Sequence, residues 1–351
     1  MQTSDNKSIR KVYLDILRVC AIILVIFNHT AEFHIPFNRD ASLYTYALLH
    51  FSILDKIAVP LFFMITGALL LPKEESFSVI FKKRVLRICI VIFIFQLIQH
   101  AYSSIALGFH FTISTFLLDC IEGNGSSAMT TWFLYAYLSV LLMLPILRIL
   151  AKNMSTKHFV YLFALHLLFS SFSPIHNGIE RWLILSNNDN QQYVFIYLFA
   201  GYYIENRLRD DFVTKKRFVF LAASSILSVF VGAAMCEFGR HIMHHSHYVQ
   251  DVPCFQGCVF MLALTTFLAA KHFIPICFKS KRVNALLQML GGAVFTVMLT
   301  ENIFRITASR LCYHCTSSHL ASFVMTLCFV MVAGFTLGII LKQLPVVKKI
   351  I

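Results

Sequence analysis

Apolar runs of about twenty residues, parted by short polar stretches, recur along the whole chain, as in proteins whose helices cross a bilayer. The pattern predicts ten spans, at 13–33, 46–71, 85–108, 131–150, 157–173, 193–206, 216–236, 252–270, 285–308 and 321–343. The expected fold is an all-α polytopic membrane protein of about ten transmembrane helices. It is read as one domain over residues 1–351, opened by a short polar leader at 1–12. No soluble domain, low-complexity linker or clear internal repeat interrupts it.

The first span departs from the rest because it carries Asp15, Arg18, His29 and Glu32 within YLDILRVCAIILVIFNHTAEF. Eleven residues from Arg18 to His29 rise roughly 16 Å and return to within about 20° of the same helical face. A cation therefore stands near one membrane surface and an imidazole near the other, with Asp15 and Glu32 about 40 to 60° from that stripe. Leu17, Cys20, Ile23, Leu24 and Phe27 make the opposite side apolar. Ionisable groups at membrane depth cost some 2.5–3.5 kcal/mol each on insertion scales and face a protein interior or a watery cavity. The first helix is expected to line a site, with Asp15 as the ion-pair partner of Arg18.

Composition and charge settle class and sidedness. The chain is 58% hydrophobic and 13% charged, with mean hydropathy +0.72, far from soluble averages. Its net charge of +13 would point to nucleic acid in a soluble protein. Here the cations fall in alternate loops, such as Lys7, Arg10 and Lys11, then Lys82, Lys83, Arg84 and Arg87, then Arg148 and Lys152. The intervening loops hold only Arg39, Arg181, Arg240 and Arg310. By the positive-inside rule both termini are cytoplasmic and His29 lies near the outer face. No nucleic-acid partner is expected, and the bilayer accounts for the basic excess.

Asp15-Ile16-Leu17-Arg18 followed by His29 resembles the opening of the acyltransferase 3 family of integral-membrane acyltransferases, whose hallmark is an arginine, ten residues and a histidine. Further similarities follow in order: Val59-Pro60-Leu61-Phe62-Phe63-Met64-Ile65-Thr66-Gly67, Arg84-Val85-Leu86-Arg87, Trp132-Phe133-Leu134-Tyr135 and Ala200-Gly201-Tyr202-Tyr203. The resemblance covers nearly the whole chain. It implies transfer of an acyl group, most often acetyl, from cytoplasmic acyl-CoA to a hydroxyl of a cell-surface or lipid-linked glycan. It also implies a multi-pass protein of the cell membrane, here read as a bacterial plasma membrane.

The residues agree with that implication. Acyl transfer to a hydroxyl needs a base, and imidazole titrates near the working pH. His29 is the base candidate, and Glu32, one turn on, is a candidate to orient its ring. Arg18, Arg84 and Arg87 can hold the phosphates of acyl-CoA by charge-assisted forked hydrogen bonds, although topology alone also places cations at such helix starts. Asn28, Trp132 and Tyr135 are candidate substrate contacts. Asn28, Thr66 and Tyr135 are open as oxyanion donors, and a covalent acyl-histidine stays open too. Gly67 and Gly201 are expected to let helices approach closely.

Late in the chain, relatives commonly show Tyr-Leu-x-His, where this sequence has Met298 and Glu301. Glu301, an ionisable residue within a span, joins the catalytic candidates. It can carry a proton, hold His29, contact an acceptor or pair with Arg305 four residues on. In the outer loops, His241, His244, His245 and His247 and the Cys312–Cys315 pair leave three readings open: zinc, disulfides among Cys120, Cys254, Cys312 and Cys315, or free thiols. No metal is assigned to the active site. A transporter or glycan exporter without acyl-transfer chemistry is the alternative function, and the oligomeric state is undetermined by sequence.

Overall fold

The computed structural model describes residues 10–30, 50–51, 53–122, 132–171, 194–242, 255–278, 280–315 and 319–345. Every regular element among them is helical. In chain order they are α1 (Val12–Thr30), α2 (Ala58–Leu70), α3 (Leu86–Leu107), α4 (Ile113–Glu122), α5 (Trp132–Asn153), α6 (Thr156–Ser171), α7 (Val194–Asn206), α8 (Lys215–Ile242), α9 (Phe255–Cys277), α10 (Lys281–Cys315) and α11 (His319–Leu341). A single turn at Phe77–Val79 and a wider π-type turn at Ile80–Val85 lead into α3.

Each predicted span coincides with a helix, and α4 is an addition that the apolar pattern did not announce. Among the described residues eight helical stretches are long and apolar enough to cross a membrane, including Ile53–Leu70 and Phe77–Leu107. The other two expected spans are the shorter helices α6 and α7, on either side of residues 172–193, which lie outside the description. α1 is central, packed against α2, α9, α10 and α11. Leu14, Leu17, Ala21, Ile22 and Ile26 along it are buried in the common core. Outward faces carry exposed phenylalanine, leucine and isoleucine, as at Phe93, Leu97 and Ile98 of α3, which is what a lipid solvent permits.

The polar groups gather at the two ends of the bundle. At one end Arg10 donates to the Gln288 carbonyl (2.8 Å), Arg148 to Leu70 (3.0 Å), Arg207 to Lys152 (2.9 Å) and Lys271 to Ile204 (2.8 Å). Lys11 and Tyr13 both bond Glu205 there. These bonds collect one set of the alternating cationic loops, and those to Leu70, Lys152 and Ile204 reach the last turns of helices, whose carbonyls lack intrahelical partners. Lys342, just past α11, lies against Gly292 of α10, so the first and last described helices open and close at this same end. At the other end Tyr102 of α3 and Thr307 of α10 share a hydrogen bond of 2.9 Å.

Close packing of α2 on α7 depends on a reciprocal pair of glycines. A Cβ on Gly67 would stand 1.8 Å from the Leu198 carbonyl oxygen, and one on Gly201 would stand 1.9 Å from that of Met64. Backbone cannot yield as a side chain does, so any substitution must push the helices apart, as the small-residue packing of membrane helices implies. Gly67→Ala or Gly201→Ala is expected to destabilise by at least the roughly 1–3 kcal/mol of an overpacked core. Thermal melting in detergent, followed by size-exclusion chromatography, checks this; wild-type melting in both variants would refute the packing account.

Candidate active site

Arg18 projects from α1 into a cavity of about 530 Å³ walled by α2, α3, α5 and α10. Lys83, Arg84 and Arg87 enter it from the π-type turn and the start of α3, and Glu75 is the carboxylate in its lining. Farther in, the walls are Phe62, Ile65 and Thr66 of α2, Phe133 and Tyr137 of α5, and Val294, Phe295 and Met298 of α10. The chamber is therefore cationic at its mouth and apolar inside. The wider turn at Ile80–Val85 changes the helical phase where Lys83 and Arg84 sit, and Arg87 follows one turn on.

Asp15 anchors the mouth. Its carboxylate is fully buried, accepting from Arg10 Nε (2.7 Å) and Nη2 (2.8 Å) and from Arg18 Nη1 (2.7 Å). A buried charge with three charge-assisted bonds meets the condition under which such burial is tolerable. Gly291 of α10 makes the room, because a Cβ there would fall 2.7 Å from Asp15 Cβ and 2.8 Å from Oδ1. Across the mouth, Glu75 takes Arg84 in a two-pronged pair (2.6 and 3.0 Å) and Arg148 at 2.9 Å. Those guanidiniums hold the Glu75 carboxyl down at about 2. Lys342 is pushed below its usual value first by burial and then by Arg10 and Arg18 nearby.

The face of α10 that walls the cavity continues past its floor. Three residues beyond Met298, a rise of about 4.5 Å, the fully buried Glu301 accepts from His29 Nδ1 at 2.7 Å. In the neutral imidazole a carboxylate on Nδ1 places the hydrogen there and leaves Nε2 with an open lone pair. Glu301 Oε2 has no hydrogen-bond partner among the described residues, and Arg305 donates to Asn302 at 2.8 Å. Asn28 Oδ1 accepts from Lys56 Nζ at 2.6 Å, and Asp55 lies 3.8 Å from that ammonium.

A family model described as an acyltransferase domain, that of the acyltransferase 3 family, matches residues 11–343. The chain belongs to the acyltransferase 3 family. It is a membrane acyltransferase of several apolar helices. Comparison with curated proteins, and with solved structures, returns no match.

Within this acyltransferase, Arg18, Arg84 and Arg87 are brought to one cavity, and Asp15 is the partner of Arg18. Of the roles open to Glu301, holding His29 is the one its geometry adopts. Glu32 lies outside the described residues, so the orienting carboxylate that can be placed is Glu301. Tyr135 points its hydroxyl at the carbonyls of Asp119 (3.2 Å) and Cys120 (2.8 Å), where it ties down α4. Trp132 meets Phe133 edge to face. Neither lines the cavity, which takes Phe133 and Tyr137 from α5 instead. Cys120 and Cys315 are free thiols, and among the described residues no group of three metal-ligating side chains forms. His244, His245, His247 and Cys254 lie outside the description, as do the side chains of His241 and Cys312.

Arg10, Glu75, Lys56 and Asp55 went unassigned in the sequence. Asp55 and Lys56 carried a usable signal, since two adjacent charges inside an apolar span meet the criterion that singled out Glu301. Glu75 gives a pH prediction. Its depressed pKa means that its pairing stabilises the fold fully above about 4.5 and is lost as pH falls towards about 2. The wild-type melting temperature is expected to fall between about pH 5 and pH 3 more steeply than that of Glu75→Gln. Parallel curves would dismiss the ion-pair account.

Proposed function

We propose that the protein transfers an acyl group, most simply acetyl, from cytoplasmic acyl-CoA to a hydroxyl of a cell-surface or lipid-linked glycan, with His29 as general base. The observation that carries this reading is the alignment, along α1 and α10, of a cation-mouthed cavity with a histidine–carboxylate pair just past its floor. Coenzyme A has phosphates at one end, a long flexible arm and sulfur at the other. Arg18, Arg84 and Arg87 suit the phosphates. The apolar chamber suits the arm, and the roughly 16 Å from Arg18 to His29 suits its reach.

In this mechanism the acceptor hydroxyl approaches from the end opposite the cations and gives its proton to His29 Nε2. Its oxygen forms a bond to the thioester carbon, and Glu301 stabilises the imidazolium through Nδ1–H. Collapse of the tetrahedral intermediate breaks the carbon–sulfur bond. The departing thiolate takes the proton back from His29, leaving an ester and free coenzyme A. The basic end faces the cytoplasm in this arrangement, as the positive-inside rule requires.

The test is thiol release by protein reconstituted in vesicles, with acetyl-CoA on the basic side and a crude glycan extract on the other. Wild type is expected to release thiol only when the extract is present. His29→Ala is expected to lose about 10²–10⁴-fold in rate, and Glu301→Gln about 10²-fold or more, because an amide does not stabilise the imidazolium. Absence of thiol release across several acyl-CoA donors and extracts, with labelled glycan crossing the vesicle wall, would replace this reading with transport.

A further inference from the structure

Attack on a thioester places negative charge on the carbonyl oxygen, and a site that accelerates the step needs a donor aimed at it. The candidates from the sequence are Asn28, Thr66 and Tyr135. Thr66 Oγ1 donates to the Phe62 carbonyl at 2.8 Å within its own helix. The Tyr135 hydroxyl is directed at the end of α4.

Asn28 differs. Its Oδ1 accepts from Lys56 Nζ at 2.6 Å. An ammonium has donors only, so the amide can take one orientation there, with its oxygen towards Lys56 and both Nδ2 hydrogens pointing elsewhere. Among the described residues no acceptor takes those hydrogens. Lys56 is backed by Asp55, whose buried carboxylate lies 3.8 Å away, makes no hydrogen bond among the described residues and is within electrostatic reach of His29. Asn28 precedes His29 by one residue, about 100° around α1, so its amide flanks the imidazole from the side of the helix that meets Lys56.

We infer that Asn28 Nδ2 is the oxyanion donor and that Lys56, held by Asp55, is the positioning residue that turns the amide into place. The inference rests on the acyl-transfer reading above. As the acceptor oxygen bonds to the carbonyl carbon, the π pair moves to the carbonyl oxygen, and Nδ2–H binds that oxygen until the carbon–sulfur bond breaks. Lys56 touches neither reactant and acts through Asn28.

The experiment is a set of variants in the same thiol-release assay, with acetyl-CoA as donor and the active extract as acceptor. Asn28→Asp keeps the shape and the bond to Lys56 but replaces the donor by an acceptor. It is expected to lower kcat by about 10²–10³-fold with the acetyl-CoA KM unchanged. Lys56→Met is expected to lower kcat at least about tenfold, Lys56→Arg to recover most of that, and Lys56→Met in an Asn28→Ala background to cost nothing further. Near-wild-type turnover in Asn28→Asp, additive losses in the double variant, or a change confined to KM would overturn the assignment. Melting in detergent identifies any variant that is misfolded, and Asn28→Asp decides alone if Lys56→Met is one. Inactive wild type would defeat the acyl-transfer reading and this inference together. Active wild type beside active Asn28→Asp would defeat only the inference.

Discussion

The contact between Asp15 and the α10 backbone at Gly291 fixes the geometry from which the site follows. Asp15 is buried without solvent and holds two guanidiniums, Arg10 from before the helix and Arg18 from the next turn. That arrangement fits only because α10 presents no side chain at Gly291. With the helices this close, their facing sides run in register towards the other membrane surface. Arg18 and His29 stay on one stripe of α1, while Gly291, Val294, Met298 and Glu301 form the matching stripe of α10. The bond from Arg10 to the Gln288 carbonyl at one end and the His29–Glu301 pair at the other are two fastenings of a single helix pair, separated by a largely apolar interior.

That separation explains how the cavity divides its labour. Four cations and one carboxylate face its mouth among the described residues, while its depth is mostly phenylalanine, isoleucine, valine and methionine with Thr66 and Tyr137. Glu75 occupies Arg84 and Arg148 in the structure, so an anionic ligand entering the mouth meets guanidiniums already held in place by a carboxylate. The Arg84 fork suits either a carboxylate or a phosphate oxygen pair. Moving from one anion to the other conserves charge-assisted bonds, which makes the exchange far less costly than binding to a dehydrated bare cation.

How much of this the sequence showed depends on whether an interaction runs along one element or between elements. The helical positions, the Arg18–His29 stripe and the Asp15–Arg18 pair are consequences of the 3.6-residue period within single apolar runs, and the structure reproduces them. Glu301 was conspicuous as a charge in a span, but four roles were open until packing placed it against a residue 272 positions away. Glu75 had no local signal, since Arg148 is 73 residues distant and the intervening turn is too short to have a period. Tyr135 and Tyr137 show the limit within a helix: both are in the right stretch, and only the phase set by Phe133 and Leu141 decides that Tyr137 faces the cavity.

In a membrane interior a polar group left without a partner is costly, so the pattern of satisfied and open groups carries information that composition does not. Thr66 and Tyr135 spend their hydroxyls on backbone carbonyls and behave as structural residues. Among the described residues Glu301 uses one oxygen on His29 and leaves the other without a hydrogen bond, neither Asp55 oxygen accepts one, and Lys56 turns the Asn28 amide so that no described acceptor takes its hydrogens. Open acceptors and an open donor, among the described residues, thus stand near one imidazole, beyond the floor of the cavity. A reacting centre that gains a proton at one atom while another gains negative charge needs both kinds at once, which the bland alternative of a packed core histidine does not.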